Sequence, residues 1–240
     1  PTAPPQISTP LTVGSDRCGS ETVLIPRGGA GLINAVVTGA KVPVIQTGTG
    51  NCHLVIDVSA DVEMAVNIAV NAKTQRPSVC NAIETVLVHR GIASSAVPPL
   101  VDAMNERGVT VHGDEESIRL DPRIVPAAPD EYDNEYLSLD LALRIVDDLE
   151  EAVDHIAKHG SGHSETIVTK SMSSQEFFAS SVDAAAVLVN CSSRFVDGGE
   201  FGFGAEIGIS TQKLHARGPM GLREMTTTTY VLRGDGQTRP

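Results

Sequence analysis

The four cysteines are the chain's candidates for a catalytic nucleophile: Cys18, Cys52, Cys80 and Cys191. Because they are widely spaced, with no CxxC pair and no cysteine–histidine cluster at zinc spacing, neither a disulfide framework nor a zinc site is expected. Cys80 lies in the segment QRPSVCNA, between a predicted helix and a predicted strand. A thiol at such a junction can be exposed, and Arg76 would favour its thiolate. The alternative is a buried structural cysteine, the commoner fate of a free cysteine.

A glycine turn and a glycine-rich stretch are the candidate sites for an anion. Arg27–Gly31, with the sequence RGGAG, follows a predicted strand and opens a predicted helix, a setting in which backbone N–H groups bind anions. A plain turn fits the same residues, since the motif is not GxGxxG. Five glycines fall in the later stretch GGEFGFGAEIG, which allows close approach to a ligand or motion. The nearby Arg194 and Arg217 could bind a carboxylate or phosphate, or could merely brace this loop.

Three histidines recur every four residues, at His155, His159 and His163. Gly160 should end their helix before the third of them, so the three side chains are not expected on one face. No cysteine or carboxylate set completes a ligand sphere, and no metal site is predicted.

The elements that must position these residues alternate along the chain. Strands are predicted at 22–26, 42–45, 54–57, 84–89, 109–112, 137–146, 166–169, 186–190 and 226–233. Helices are predicted at 32–38, from a cap at Ser59, at 95–107, from a cap at Asp147 to His159, and at 174–181. Strands interleaved with helices favour an α/β fold with a largely parallel sheet.

Composition narrows the class of protein. The 240 residues are 41% hydrophobic and 20% charged, which is typical of a globular chain. The net charge of −12 disfavours binding to nucleic acid or anionic membranes. No run of eighteen apolar residues and no signal pattern is present, so a soluble, cytoplasmic protein is expected. Residues 1–20, rich in Pro, Ser and Thr, are typical of a linker or a ragged end.

Several longer stretches carry a family resemblance. The segments IPRGGAGLI, VPVIQTGTGNCH, NAKTQRPSVCNAIETVLVH, HARGPMGL and TTTTYVLRGDGQTR resemble the gamma-glutamyl phosphate reductases, also called glutamate-5-semialdehyde dehydrogenases. That family belongs to the aldehyde dehydrogenase superfamily and acts in proline biosynthesis. The match runs over residues 21–239, and RPSVCNA and HARGPMGL are its most specific parts. The family's N-terminal cofactor-binding portion has no counterpart here.

The resemblance implies an aldehyde dehydrogenase-like catalytic domain with a partial Rossmann-like cofactor domain. Residues 1–20 match poorly, and 21–73 would be the C-terminal remnant of the cofactor-binding domain. Residues 74–222 would form the catalytic domain. Residues 223–240 would supply an oligomerisation strand and a tail.

The resemblance also implies an activity and roles for single residues. The family reduces L-glutamyl 5-phosphate to L-glutamate 5-semialdehyde and phosphate with NADPH, through a thioester on a cysteine that corresponds to Cys80. Glu135 corresponds to the superfamily glutamate that binds the nicotinamide ribose, although a plain surface carboxylate fits its acidic surroundings. Gly28 and Gly29 would line the cofactor cleft. The candidate substrate-binding residues are Asn190, Arg194 and Arg217, and no metal is required. The expected partners are a second copy of the enzyme and glutamate 5-kinase.

Gln46 bears on the choice of reaction. Hydrolytic aldehyde dehydrogenases carry a glutamate at the corresponding position that activates water, and a glutamine cannot act as that base. This favours a reductase that spares its thioester, although neutral replacement of Glu by Gln is also possible. Two other functions remain open: a hydrolytic aldehyde dehydrogenase and a non-catalytic oligomerisation or interaction fragment, since the N-terminal cofactor half is lacking. The chain alone is expected to be inactive.

Overall fold

The computed structural model describes residues 23–128 and 130–226, two short N-terminal strands, and residues 228, 230–231, 233–236 and 238 of the tail. The two strands, β1 (Ser8–Thr9) and β2 (Thr12–Val13), pair antiparallel within the segment predicted to lack strands. The remainder of residues 1–22 lies outside the described residues. The predicted strand 226–233 lies partly outside them, and its described positions form no strand.

A seven-stranded parallel sheet forms the centre of the described chain. Its strands lie in the order β6-β5-β7-β4-β3-β8-β9, and every neighbouring pair is parallel. The strands are β3 (Cys52–Ile56), β4 (Ile83–His89), β5 (Thr110–Gly113), β6 (Val125–Pro126), β7 (Asp140–Val146), β8 (Ser164–Val168) and β9 (Ala186–Val189). The predicted α/β class is confirmed.

Helices cover both faces of this sheet. Leu54 and Ile56 of β3 pack into one core with the helices α2 (Val62–Thr74) and α3 (Arg90–Asn105). Val55, which points to the opposite face, packs with α5 (Leu149–His159) and α6 (Met172–Ser181). Because both faces are buried, strand residues of both orientations are excluded from solvent, including polar ones such as Glu165 and Thr166 of β8. The other two helices are α1 (Ala30–Gly39) and α4 (Glu115–Leu120).

All five predicted helices begin at a residue other than the one predicted, α1 at Ala30 rather than residue 32 and α6 at Met172 rather than residue 174. Asp61, not Ser59, caps α2 by accepting a hydrogen bond from the Met64 amide. Asp148, not Asp147, caps α5 in the same way. Helix α3 begins at Arg90 and runs through its two internal prolines, which had suggested a start at residue 95. In each segment more than one residue could begin the helix, and tertiary contacts select one of them.

The segments that precede the sheet are less regular than predicted. In place of the strands at 22–26 and 42–45, one isolated parallel bridge joins Leu24 to Val44. The strand predicted from Leu137 begins only at Asp140, because Leu137 has a positive φ of 56°. Two further strands, β10 (Gly208–Ser210) and β11 (Gly218–Met220), form a separate antiparallel pair.

The domain boundary predicted near residue 73 would cut the central sheet. Strand β3 and helix α2 precede that boundary, yet β3 lies between β4 and β8. The packed unit therefore begins by Cys52, and only residues before that strand could belong to a different layer. No helix within the described residues is long and apolar enough to cross a membrane.

Candidate active site

A cleft of about 1010 Å³ lies against the amino ends of four parallel strands. Four of its lining residues each stand just before a strand: Gly48 before β3, Cys80 before β4, Glu135 before β7 and Ser161 before β8. The turn Arg27–Gly29 and residues 206–209 of the glycine-rich stretch close the cleft from the other side. The parallel topology thus brings together residues that are far apart in the sequence.

Cys80 is half-buried in the turn that joins α2 to β4. Its side chain packs beside the small apolar cluster of Leu188, Val196 and Ile209. Burial raises the pKa of the Cys80 thiol to about 11, and the carboxylates of Glu206 and Glu135 act in the same direction. Without a ligand the sulfur is therefore protonated at neutral pH.

Gly50 lies between Cys80 and Glu135. A Cβ atom at Gly50 would lie 1.6 Å from the Cys80 carbonyl oxygen, so only glycine fits at this position. The Gly50 amide donates a 2.7 Å hydrogen bond to Oε1 of Glu135. One glycine therefore contacts the backbone of the candidate nucleophile and orients the candidate ribose-binding carboxylate.

Glu135 lines the cleft at the end of a loop held by Tyr136 and Leu137. Its Oε1 atom accepts the Gly50 bond, and its Oε2 atom has no hydrogen-bond partner among the described residues. A carboxylate with one oxygen anchored and one available is suited to accept from a sugar hydroxyl. Gly28 and Gly29 line the same cleft. An added Cβ would meet nothing within 4 Å at Gly29, whereas at Gly28 it would lie 2.4 Å from Cδ2 of Leu32. The donor set and the volume fit a nicotinamide nucleotide.

Arginines provide the cleft's positive charge. Arg27, Arg76 and Arg194 all line it. Arg194 donates through Nε to Oε1 of Gln75 at 2.8 Å, and its charge lowers the pKa of Cys80. Arg194, rather than the predicted Arg76, therefore favours the thiolate of Cys80. Arg76 and Arg27 are additional candidates for binding an anion.

Two predicted substrate-binding residues do not line the cleft. Asn190 follows β9 at the carboxyl end of the sheet, opposite the cleft, where its amide exchanges two 2.9 Å hydrogen bonds with the Thr169 backbone. Arg217 donates to Oδ1 of Asp183 at 2.8 Å. Closeness in sequence to the glycine-rich stretch does not predict which residues line the cleft. The cleft lies at the amino ends of the strands, whereas Asn190 follows the carboxyl end of one.

Gln46 lines the cleft as part of a strand-like segment next to β10. Its amide donates to Oε1 of Gln212 at 2.9 Å, and Thr47 forms an antiparallel bridge with Ser210. The segment that carries Gln46 is therefore anchored to the loop after β10, within reach of the same cavity as Cys80.

Glu206 is a cleft residue that the sequence analysis missed. Its Oε2 atom accepts a 2.8 Å hydrogen bond from the Gly198 amide, and burial raises the pKa of the carboxyl group. Together with Asp197 it adds negative charge to the cleft, and both carboxylates interact with the charge of Arg194. The sequence signal that could have indicated Glu206 is a carboxylate within a glycine-rich stretch, where few other side chains can contact a ligand.

The three histidines lie away from the cleft. His155 and His159 have ring centroids 4.5 Å apart on α5, and Gly160 ends that helix as predicted. His163 follows the helix end and bonds to Ser164 through Nδ1 at 2.8 Å. Across the described residues, no group of three His, Cys, Asp or Glu side chains is arranged to hold a metal ion.

Comparison with curated sequences finds close relatives of this chain. It is 98% identical to the gamma-glutamyl phosphate reductase of Cutibacterium acnes over 218 residues, 91% of this chain and 52% of that protein. A gamma-glutamyl phosphate reductase from Thermobifida fusca is 59% identical over 217 residues, 90% of this chain and 52% of that protein. The chain spans about half the length of the curated relatives it matches. No family model matches it.

Solved structures share the fold. Gamma-glutamyl phosphate reductase from Thermotoga maritima has a TM-score of 0.87 and 51% sequence identity, covering 92% of this chain and 53% of that one. An acetylating aldehyde dehydrogenase from Geobacillus thermoglucosidasius has a TM-score of 0.66 at 17% identity, over 91% of this chain and 58% of that one, a likeness of fold alone. In sequence and fold, the chain corresponds to the C-terminal part of the gamma-glutamyl phosphate reductase family, whose fold is aldehyde dehydrogenase-like.

Proposed function

We propose that this chain is the part of an NADPH-dependent reductase that carries the catalytic cysteine. The reductase converts L-glutamyl 5-phosphate to L-glutamate 5-semialdehyde and phosphate. The observation that carries the proposal is the arrangement around Gly50, which places Cys80 and Glu135 on the wall of one cleft. A nucleophile and a ribose-binding carboxylate joined in this way are what a thioester reductase requires.

In the first step the Cys80 sulfur attacks the acyl carbon of the acyl phosphate. The new carbon–sulfur bond replaces the carbon–oxygen bond to phosphate, and a thioester and inorganic phosphate result. The backbone N–H of Cys80 can donate to the negative oxygen that forms during the attack. The thiol proton must leave before or during this step, since the pKa of Cys80 is about 11, and the departing phosphate would accept it.

The cleft arginines account for the anionic substrate. Arg27 and Arg76 line the cleft without a side-chain hydrogen bond to another described residue, so their guanidinium groups are available for a phosphate or carboxylate. A cationic rim also opposes the charges of Glu206 and Glu135, which otherwise disfavour the thiolate. Arg194 belongs to the same group, and Arg217 and Asn190 do not.

The second half of the reaction needs a reductant held against the thioester. When bound in this cleft, a reduced nicotinamide would supply the hydride for the thioester carbon. Glu135 would accept from the ribose hydroxyls through Oε2, while Gly29, where an added Cβ would meet nothing within 4 Å, would leave room for the nucleotide in the turn before α1. Gln46, which cannot act as a base, would leave the thioester unhydrolysed until reduction releases the semialdehyde and restores the Cys80 thiol.

Measurement of the reverse reaction tests this function. The complete enzyme, incubated with glutamate 5-semialdehyde and NADP⁺, should form NADPH only when phosphate is present, because phosphate is the acceptor that resolves the thioester. NADPH formation that is independent of phosphate, with glutamate as product, would favour a hydrolytic aldehyde dehydrogenase. Absence of any turnover would favour the non-catalytic alternative. A homo-oligomer, glutamate 5-kinase as a partner and a cytoplasmic location remain part of the proposal.

A further inference from the structure

Lys73 and Glu84 form an ion pair in the interior that the proposed chemistry does not use. Lys73 Nζ and Glu84 Oε2 are 2.5 Å apart, and neither side chain is accessible to solvent. Burial raises the pKa of Glu84 to about 7, while Lys73 opposes that shift. Removing two charges from water is so costly that an apolar pair of similar volume is often as stable. Stability alone is therefore a poor reason for this pair.

The pair brackets the turn that carries Cys80. Lys73 is in the last turn of α2, before Cys80, and Glu84 is in the first part of β4, after it. The contact between the two side chains consequently ties together both ends of the nucleophile's turn.

Both members of the pair also reach the loop that carries Glu135. Oε1 of Glu84, the oxygen that does not face Lys73, accepts a 3.4 Å hydrogen bond from the Leu137 amide. Lys73 Nζ lies 5.6 Å from the centre of the Tyr136 ring, within range for a cation–π contact. The two residues that follow Glu135 are thus each held by one half of the pair.

The conformation of this loop requires such support. Leu137 has a φ of 56°, a region that residues with a Cβ atom rarely occupy. Its side chain is exposed and lines the cleft, so packing of the leucine does not compensate for the strain. The hydrogen bond from the Leu137 amide to Glu84 holds the backbone in this conformation. The hydroxyl of Tyr136 also donates a 3.0 Å hydrogen bond to Glu131.

We propose that Lys73 and Glu84 are positioning residues for cofactor binding, which hold the Glu135–Leu137 loop in place relative to Cys80 and so aim Oε2 of Glu135 into the cleft. They touch neither substrate nor cofactor and act through Leu137 and Tyr136. This inference rests on the proposed function, and it adds a reason for keeping two charges inside the protein.

Three variants separate positioning from simple stability. Lys73→Met/Glu84→Met removes both charges and fills the space with apolar atoms, but leaves the Leu137 amide without its acceptor. Glu84→Gln keeps an oxygen that can accept from Leu137. Glu165→Gln is the matched control: Glu165 is another fully buried carboxylate, it pairs with His53 at 3.0 Å, and it has no hydrogen bond to the Glu135 loop.

Each variant of the complete enzyme would be tested for thermal stability, for NADPH dissociation by calorimetry, and for KM of both substrates. Hydrogen exchange of the peptide over residues 130–138 would be followed in the absence of cofactor. For the double Met variant we expect a Tm within a few degrees of the wild type, faster exchange at 135–137, and NADPH affinity reduced about tenfold or more. KM for the acyl phosphate should change less than about threefold. Glu84→Gln should recover most of the NADPH affinity.

The inference is overturned if the double variant keeps the NADPH affinity and the hydrogen exchange of the wild type. It is also overturned if the loss of NADPH affinity is proportional to the loss of Tm in all three variants, including the control Glu165→Gln. Should the double variant fail to fold, Glu84→Met, which removes the acceptor, would be compared with Glu84→Gln, which keeps it, and equal NADPH affinity in these two and the wild type would overturn the inference. Failure of the proposed function is a separate outcome: the wild-type enzyme would then not reduce the acyl phosphate, whereas exchange at residues 135–137 reports on the loop regardless of turnover.

Discussion

The backbone of Cys80 packs so closely on Gly50 that a single added methyl group would lie 1.6 Å from the Cys80 carbonyl oxygen. Gly50→Ala should therefore displace the nucleophile's turn, weaken the bond from residue 50 to Glu135, and reduce stability by about 3 kcal/mol or more. Denaturant unfolding of the chain measures this loss.

Gly39→Ala is the control for that substitution. A Cβ at Gly39 meets nothing within 4 Å, and its backbone is ordinary helix. Its stability should be unchanged or slightly higher, since alanine is the better helix former. Equal stability of Gly50→Ala and Gly39→Ala would contradict the close packing described here.

Cys80 should be the essential thiol. In the complete enzyme, Cys80→Ser should abolish semialdehyde formation and acyl-enzyme labelling, because a serine hydroxyl without a base is a far weaker nucleophile. Cys191→Ser is a suitable control, since Cys191 is also half-buried and borders the same apolar cluster. Near-normal turnover by Cys80→Ser would remove the basis for the thioester route.

The charge of Glu206 should control the reactivity of Cys80. The Glu206 carboxylate raises the pKa of the thiol, so Glu206→Gln should lower that pKa from about 11. A lower pKa gives a larger thiolate fraction at any pH below it, and alkylation by iodoacetamide at pH 8 should become faster. The pH–rate profile of Cys80 alkylation, read in a Cys191→Ser background, should move to lower pH; an unmoved profile would disprove the coupling.

Restoring a base at position 46 should introduce some hydrolysis. Gln46 lines the same cleft as Cys80, and a glutamate there could activate water against the thioester. Gln46→Glu in the complete enzyme should release glutamate from the semialdehyde in the absence of phosphate. Product analysis by chromatography decides this, and an unchanged product would leave no role for residue 46 in sparing the thioester.

The 240-residue chain by itself should fold but should not reduce acyl phosphate. Its seven-stranded sheet has helices on both faces, so the core is closed. NADPH should bind very weakly, since this chain spans about half the length of its relatives and the proposed function assigns part of the cofactor site to the other half. Micromolar NADPH affinity in calorimetry, together with turnover, would show that these residues suffice.

Local sequence patterns predict the α/β class, the order of most helices and strands, and Cys80 as the candidate nucleophile. These predictions rest on local patterns: hydrophobic runs, helix-ending glycines such as Gly160, and the family motifs. Such patterns can be recognised from neighbouring residues alone, without knowledge of the fold. Cys80 and Glu135 were found in this way, and both lie in the cleft.

Which distant residues share that cleft depends on the packing of the strands, which no local pattern predicts. Asn190 and Arg217 were chosen for their closeness to the glycine-rich stretch, but the strand direction places Asn190 at the opposite edge of the sheet, and Asp183 holds Arg217. Glu206 lines the same cleft as Cys80, and its charge raises the pKa of the thiol. The Lys73–Glu84 pair was equally invisible, since nothing in a sequence reveals that two charged residues are buried against each other. These contacts depend on how segments far apart in the chain pair and pack. The periodicity of one segment does not show which other segment lies beside it in the fold.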